Sequence, residues 1–431
     1  MDTKKVYDII GIGIGPFNLG MAALADEIDD LECAFIDKQP GFNWHPGMMI
    51  PGASLQVPFY ADLVTVVNPK SKYSFLNYLK DKKRLFRFAI HENNFISRSE
   101  YNDYCRWVAN QLPSLHFGYC CNAVYYDASS SHYVVSMTDT RNGHIEMVKC
   151  KHVVIGVGTI PHLPECAAGV KHPLVFHSAD YLKFKDAILD KKSVSIVGSG
   201  QSAAEIFYDL LNHSSSLKEL KWFTRSERFF PMDYSKLSLE MTSPDYIDHF
   251  FGLGAEQKLA TLRKQDMLYK GINFSLINSI YDQLYELQFA SSGFRPGLLS
   301  NCELHGLKVI EGDSIQLGFL HIELEESFTY TTDAVIMATG YRNHLPFAVE
   351  SAEGVLKWNS KNRFAINRNY SINTNEDIFV QNMDLHSHGF TSPDLGMGPY
   401  RNATILNAIL GKEYFEMESN IAFQTFGIPK D

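Results

Sequence analysis

Three stretches predict an α/β fold built from two Rossmann-like dinucleotide-binding domains and a small helical region. Residues 6–24, VYDIIGIGIGPFNLGMAAL, read as a buried strand, a glycine turn and an apolar helix. Residues 193–206, SVSIVGSGQSAAEI, repeat that pattern with Gly198 and Gly200 in the turn and Ala203 at the close-packing position of the helix. Residues 231–287 change character, carrying Tyr, Phe and Leu at helical spacing. One glycine fingerprint is a weak signal, but two copies, each between an apolar strand and an apolar helix, are a strong one.

In the first unit, Gly11, Gly13 and Gly15 lack a Cβ, so phosphates can approach a helix start whose N–H groups and dipole favour negative charge. Pro16 fits the first helical turn, where its missing N–H is not needed. The pair Lys4-Lys5 with the following apolar run also resembles a secretory signal. Three glycines, Pro16 and Asn18 inside that run argue against it, and so does the strand at 31–36 (LECAFI), which ends at Asp37, where an acid accepts ribose hydroxyls, with Lys38 beside it. The loop that follows, QPGFNWHPGMMIPGASLQVPF, is dense in Pro and Gly. Its Trp44, His45 and Gln56 are candidates for the ring end of a bound dinucleotide.

Helices are expected over 73–79 and 98–112, the second capped by Ser97 or Ser99. Residues 115–117, 123–126, 132–138 and 145–148 alternate as an antiparallel meander that closes on a strand at 152–158. In the second unit the strand at 221–224 ends in Thr224 and Arg225 rather than an acid, with Arg228 nearby, and cations there suit a 2′-phosphate. Ser243-Pro244-Asp245 starts a helix over 246–263, and another spans 274–287. Short strands return at 307–310, 315–320 and 328–330. The run DAVIMATGY (333–341) is expected to bring the chain back to the first domain, placing Thr339, Gly340 and Tyr341 by its cofactor. A last strand over 377–382 precedes a final helix near Pro399. His386 and His388 have no third ligand spaced nearby, so no metal is expected.

The net charge of −10 is spread over mixed-sign surface without a basic run, which argues against nucleic acid and anionic membranes as partners. No apolar stretch reaches membrane-spanning length. Seven scattered cysteines without a CxxC pair fit a reducing cytoplasm and argue against a disulfide-passing reductase.

Gly11-Ile12-Gly13-Ile14-Gly15-Pro16-Phe17-Asn18-Leu19, Trp44-His45-Pro46-Gly47-Met48, Gly198-Ser199-Gly200-Gln201-Ser202-Ala203, Ala338-Thr339-Gly340-Tyr341 and His388-Gly389 together resemble the microbial N-hydroxylating flavin monooxygenases of hydroxamate siderophore biosynthesis. The resemblance covers nearly the whole chain. It implies an FAD domain over 1–165 and 331–431, an NADPH domain over 166–240 and 300–330, and a helical substrate region over 241–299. It also implies a homo-oligomer, tetramer or dimer, that hydroxylates a primary amine with O2. Gln201, Ser202 and Leu395 are then cofactor contacts, while Trp44, His45 and Gln56 protect the reacting flavin.

In the lysine and ornithine hydroxylases a lysine that pairs with the substrate carboxylate falls where this chain has Ala61. A serine there matches Gly396, and an asparagine of the ornithine type matches Leu268. A carboxylate without a partner would be left desolvated at a cost of several kcal/mol in order of magnitude. The expected substrate is therefore an amine without that group, such as putrescine, cadaverine or histamine, with Tyr60, Ala61, Leu268 and Gly396 around it. A lysine or ornithine hydroxylase and, more distantly, a flavin-dependent pyridine-nucleotide reductase are the alternatives.

Overall fold

The computed structural model of the protein describes residues 1–289, 293–356, 358 and 363–429. The chain starts with β1 (Val6–Ile12), α1 (Pro16–Ala25) and β2 (Cys33–Asp37), followed by α2 (Phe75–Asp81), α3 (Leu85–His91) and α4 (Arg98–Ala109). Ser97 caps α4, its Oγ accepting the Glu100 N–H at 3.1 Å. The unexpected α3 buries none of its side chains, so no core-facing stripe announced it. Next come β3 (Leu115–Phe117), β4 (Tyr119–Asp127), β5 (His132–Asp139) and β6 (Ile145–Ile155). The two strands expected over 145–158 are one, because inward and outward residues keep alternating through Val148, Cys150 and His152.

After β7 (Thr159–Pro161), the second unit runs through β8 (Val175–His177), α5 (Tyr181–Leu189), β9 (Ser193–Val197), α6 (Gln201–Leu211) and β10 (Glu219–Phe223). Five helices follow: α7 (Lys236–Leu239), α8 (Pro244–Gly252), α9 (Ala255–Lys264), α10 (Asp266–Tyr269) and α11 (Phe274–Leu287). Ser243 caps α8 as expected, accepting the Tyr246 N–H. Then come β11 (Arg295–Leu299), β12 (Cys302–Val309), β13 (Ile315–His321), β14 (Glu326–Thr332) and β15 (Ala334–Met337). The chain ends with β16 (Tyr341–Asn343), β17 (Ala348–Ser351), β18 (Gly354–Val355), β19 (Ile378–Val380), α12 (Leu385–His388) and α13 (Gly398–Leu410).

In the first sheet, β3, β2, β1, β6 and β19 are parallel neighbours. The start of β6 continues antiparallel into β5 and β4, with β17 and β18 beyond. β3 therefore belongs to the parallel run through Phe35↔Leu115 and not to the meander. One face of this sheet packs on α1, α2, α4 and α13 through Leu19, Phe35, Tyr104 and Leu406.

The second sheet is parallel throughout, in the order β11-β10-β9-β15-β8. Two expectations change here. The apolar run at 334–337 pairs with β9 and β8 and so belongs to the second sheet; the crossing back to the first comes after Gly340. Residues 241–299 are not one helical region either. Arg295–Leu299 is a sheet strand, and α11 packs Ile277 and Ile280 into the core of the second unit with Phe207 and Leu210 of α6. The helices before it form a small separate cluster in which Tyr246 and Phe250 meet Phe390 of the first unit. The antiparallel β12, β13 and β14 cover the second sheet through Leu317 and Phe319 against Phe223 and Val335.

Candidate active site

The first glycine turn lies between β1 and α1. Gly13 has φ +90°, and a Cβ there would stand 2.4 Å from the Gly156 carbonyl oxygen, so only glycine fits. Asn18 Nδ2 donates to Gly13 O at 2.8 Å, and the Gly13 N–H reaches Ile36 O at 2.8 Å. Gly15 caps α1 in an extended conformation with Pro16 at the first turn, and a Cβ there would meet nothing within 4 Å. The side of the helix start that a phosphate would approach is thus open. Asp37 ends β2 at the mouth of this turn: Oδ2 accepts the Ile14 N–H at 2.7 Å and Oδ1 the Gln39 N–H at 2.8 Å. Lys38 beside it is exposed.

The loop after β2 joins the two units. Trp44 takes an edge-on contact from Tyr101 at 5.2 Å, and its N–H donates to Asn102 Oδ1, both in α4. A few residues on, Met48 and Ile50 are buried in the core of the second unit, and a Cβ at Gly47 would strike the Ala179 carbonyl. His45 sits at the bend with φ +45°, its ring 5.1 Å from Trp44 and 5.9 Å from Tyr341. Tyr341 also meets His177 at 5.0 Å, and His177 Nε2 donates to Gly340 O at 2.9 Å. Burial first, and the Arg98 guanidinium second, push the His45 imidazole down to about 4, so it is neutral at physiological pH. Gln56 Nε2 is buried and makes no hydrogen bond within the protein. Such a donor costs about 1–3 kcal/mol when left unpaired, so an acceptor brought there by a ligand would stabilise it.

The second turn repeats the first in backbone but not in charge. Gly198 has φ +151°, and a Cβ would stand 2.1 Å from Ala338 O, at the end of β15. Gly200 caps α6, with Ser202 partly buried in its first turn. Gln201 turns inward: Nε2 donates to Glu205 Oε1 at 2.8 Å and its oxygen accepts the Asn273 N–H at 2.9 Å, so its side chain is committed to the protein. Arg225 is exposed just past β10, while Arg228 lies over the Phe230 ring at 4.7 Å.

Two of the expected substrate positions meet. A Cβ on residue 396 would lie 3.4 Å from the Ala61 Cβ, and Tyr60 stands next to it, half-exposed. Leu395 lines a narrow cleft with Pro16, Phe17, Tyr101 and Pro399, linking these positions to the first glycine turn. Leu268 takes its packing from the Tyr246, Phe250 and Phe390 cluster instead. His386 and His388 bond their ring nitrogens to the carbonyls of Phe364 and Arg368, at 2.7 and 3.1 Å.

Residues outside the sequence motifs complete the arrangement. Arg98, at the start of α4, reaches into the second unit and pairs with Glu205 of α6 at 2.8 Å, both nearly buried. Arg401 of α13 lies over the Phe17 ring at 4.6 Å, and Asn402 Nδ2 donates to Phe17 O, so the end of the chain clamps the first turn of α1. Asp394 accepts the Gly396 N–H at 2.7 Å. Glu205 lies inside the second glycine unit and Arg98 opens an expected helix, but neither takes a role from the sequence alone.

Two dinucleotide-binding turns and a loop seated in both units define a two-nucleotide oxidoreductase. Residues 5–343 match the L-lysine 6-monooxygenase/L-ornithine 5-monooxygenase family. The chain belongs to that family, the FAD- and NADPH-dependent N-hydroxylating monooxygenases. It is 46% identical over 424 residues to a putrescine N-hydroxylase of Shewanella oneidensis, covering 98% of this chain and 84% of that one. It is 42% identical to the FAD-bound cadaverine monooxygenase of the desferrioxamine biosynthetic pathway of Erwinia amylovora, with a TM-score of 0.95 over 99% of this chain and 100% of that one. The ornithine N-hydroxylase of Kutzneria sp. 744, solved with reduced FAD, NADP+ and L-ornithine, is 26% identical at a TM-score of 0.84, over 94% of this chain and 99% of that one. Among the described residues no helix is long and apolar enough to cross a membrane.

Proposed function

We propose that the protein N-hydroxylates a small primary amine without an α-carboxylate, such as putrescine or cadaverine, in siderophore biosynthesis. The observation that carries this reading is the meeting of Ala61 and Gly396, which gives a substrate carboxylate neither a cation nor a hydroxyl. The relatives named for putrescine and cadaverine support the same reading.

FAD would be held by Gly11–Gly15 with Pro16, by Asp37, and by Trp44, His45, Gln56 and Leu395. The buried Gln56 donor and the open side of Gly15 fit that group. NADPH would be held by Gly198, Gly200 and Ser202, with Arg225 for its 2′-phosphate, and Thr339, Gly340 and Tyr341 follow β15, where Tyr341 meets His45. Bound FAD, once reduced by NADPH, supplies the electrons that split O2, one oxygen atom passing to the amine nitrogen to give a hydroxylamine and the other leaving as water.

The chain's own task is placement and exclusion of water. Trp44, His45 and Tyr341 close the ring end, and the neutral imidazole keeps a fixed proton there instead of titrating. The attacking amine must be neutral. With a solution pKa near 10.4, roughly one molecule in a thousand is neutral at pH 7.4, so an apolar pocket that disfavours the ammonium helps at the reacting end. We also place the enzyme in the cytoplasm as a homo-oligomer, with the exposed Phe86 and Ile90 of α3 as apolar surface for a second copy.

The test is NADPH-dependent hydroxylamine formation with putrescine, cadaverine, histamine, ornithine and lysine. A diamine is expected to have the highest kcat/KM. Preference for ornithine or lysine would overturn the argument from Ala61, and NADPH oxidation without any hydroxylamine would overturn N-hydroxylation itself.

A further inference from the structure

Asp394 stands beside the two small residues of the pocket. Its Oδ1 is 3.0 Å from the point a Cβ on residue 396 would occupy, and that point is 3.4 Å from the Ala61 Cβ. The carboxyl also reaches Tyr234: burial first, then Asp394 and Tyr60, raise the Tyr234 phenol above its ordinary value. Tyr234 in turn meets the Phe95 ring edge-on at 6.2 Å. An acid is thus set beside Ala61 and Gly396 and within electrostatic reach of Tyr234.

Among the described residues Asp394 is in no ion pair, and burial raises its carboxyl against the pull of the Gly396 and Met397 N–H groups. Arg401, whose charge is felt there, is spent elsewhere, 3.3 Å from Asp384 and donating to Ser392 O at 2.6 Å. A partly buried carboxylate without a paired cation is the environment an alkylammonium group completes.

We infer that Asp394 is a specificity-determining residue that receives the distal ammonium of a diamine substrate. The inference rests on the amine N-hydroxylase reading above and extends it. A diamine has two ends with opposite requirements, since the reacting nitrogen must be neutral while the other keeps its proton. The carboxylate at 394 holds the charged end, and the rings of Tyr60 and Tyr234 cover the methylenes between. The same charge repels the carboxylate of an α-amino acid, so one residue selects for the second ammonium and against the acid.

Asp394→Asn is the informative change, because the amide oxygen still accepts the Gly396 N–H while the charge is gone. The readout is the ratio of kcat/KM for putrescine to that for 1-aminobutane, and for cadaverine to 1-aminopentane, measured as hydroxylamine formed. Wild-type protein is expected to favour the diamines by about 10²-fold, and the variant to bring the ratio to within a few-fold of one, mainly through the diamine KM. If the variant loses diamine and monoamine activity in equal proportion, Asp394 positions the loop or the flavin, and the inference falls while N-hydroxylation stands. Wild-type protein that hydroxylates monoamines as well as diamines also overturns it, without any variant. Wild-type protein that hydroxylates no amine removes the underlying reading and this inference together.

Discussion

The two glycine turns use the same backbone device and differ in what surrounds it. Gly13 and Gly198 both hold positive φ, and in both a Cβ would collide with a carbonyl of a neighbouring strand end. The first turn is braced on every side: Asn18 holds the Gly13 carbonyl, the Asp37 carboxylate takes the Ile14 N–H, and Arg401 and Asn402 lock Phe17. The second turn has an exposed arginine where the first has an acid. An acid at the strand end accepts neutral ribose hydroxyls and excludes a phosphate, whereas a cation there attracts one. The second turn is braced as well, Trp222 Nε1 donating to the Gly198 carbonyl at 2.7 Å, so the two turns differ in charge rather than in stiffness.

The largest expected effect comes from breaking what joins the two turns. Arg98→Leu leaves Glu205 buried without its partner and is expected to cost about 3–5 kcal/mol of stability, read by denaturant unfolding, with Glu205→Gln in the same chain restoring part of it. A loss below about 1 kcal/mol would mean that the pair is solvated and does not hold the units together.

The glycines sharpen the comparison directly. Gly13→Ala and Gly198→Ala should each cost roughly 3 kcal/mol locally, from strain and collision together. Gly13→Ala is expected to purify without flavin absorbance, whereas Gly198→Ala keeps the flavin and loses its reduction by NADPH. The opposite pattern would reverse the assignment of the two nucleotides. The smallest effect is expected for Arg225→Ala, a rise of about tenfold in the KM for NADPH, near 1.4 kcal/mol, with that for NADH little changed. Equal rises for both nucleotides would show that Arg225 does not read the 2′-phosphate.

What the sequence disclosed was local. Each glycine turn carries its strand, its special backbone and its helix within about 20 residues, and the caps Ser97 and Ser243 stand three residues before the N–H groups that donate to them. The run AVIM at 334–337 pairs in the second sheet and not the first, a choice its own residues do not make: four apolar residues satisfy either parallel sheet equally, and only the long-range register with Val175 and Val194 decides. Arg98 and Glu205 lie more than a hundred positions apart on ordinary helices, so no spacing links them. In the pocket, Ala61 and Gly396 were legible as departures from a family pattern. Leu268 fell into the neighbouring apolar cluster because a leucine follows the largest apolar surface available to it.

The strands of the second sheet all lie between Val175 and Met337, whereas the first sheet takes β1 from the start of the chain and β19 from near its end, with α13 packed over α1. During synthesis from the N-terminus, the later unit has every strand it needs while the earlier one still lacks β17, β19 and the helix that clamps Phe17. The nucleotide fold begun first is the one completed last. Until then the edge of β6 at Val154 stays unpaired, so a ribosome-bound chain must shelter the half-built sheet for the time taken to translate the whole of the other unit.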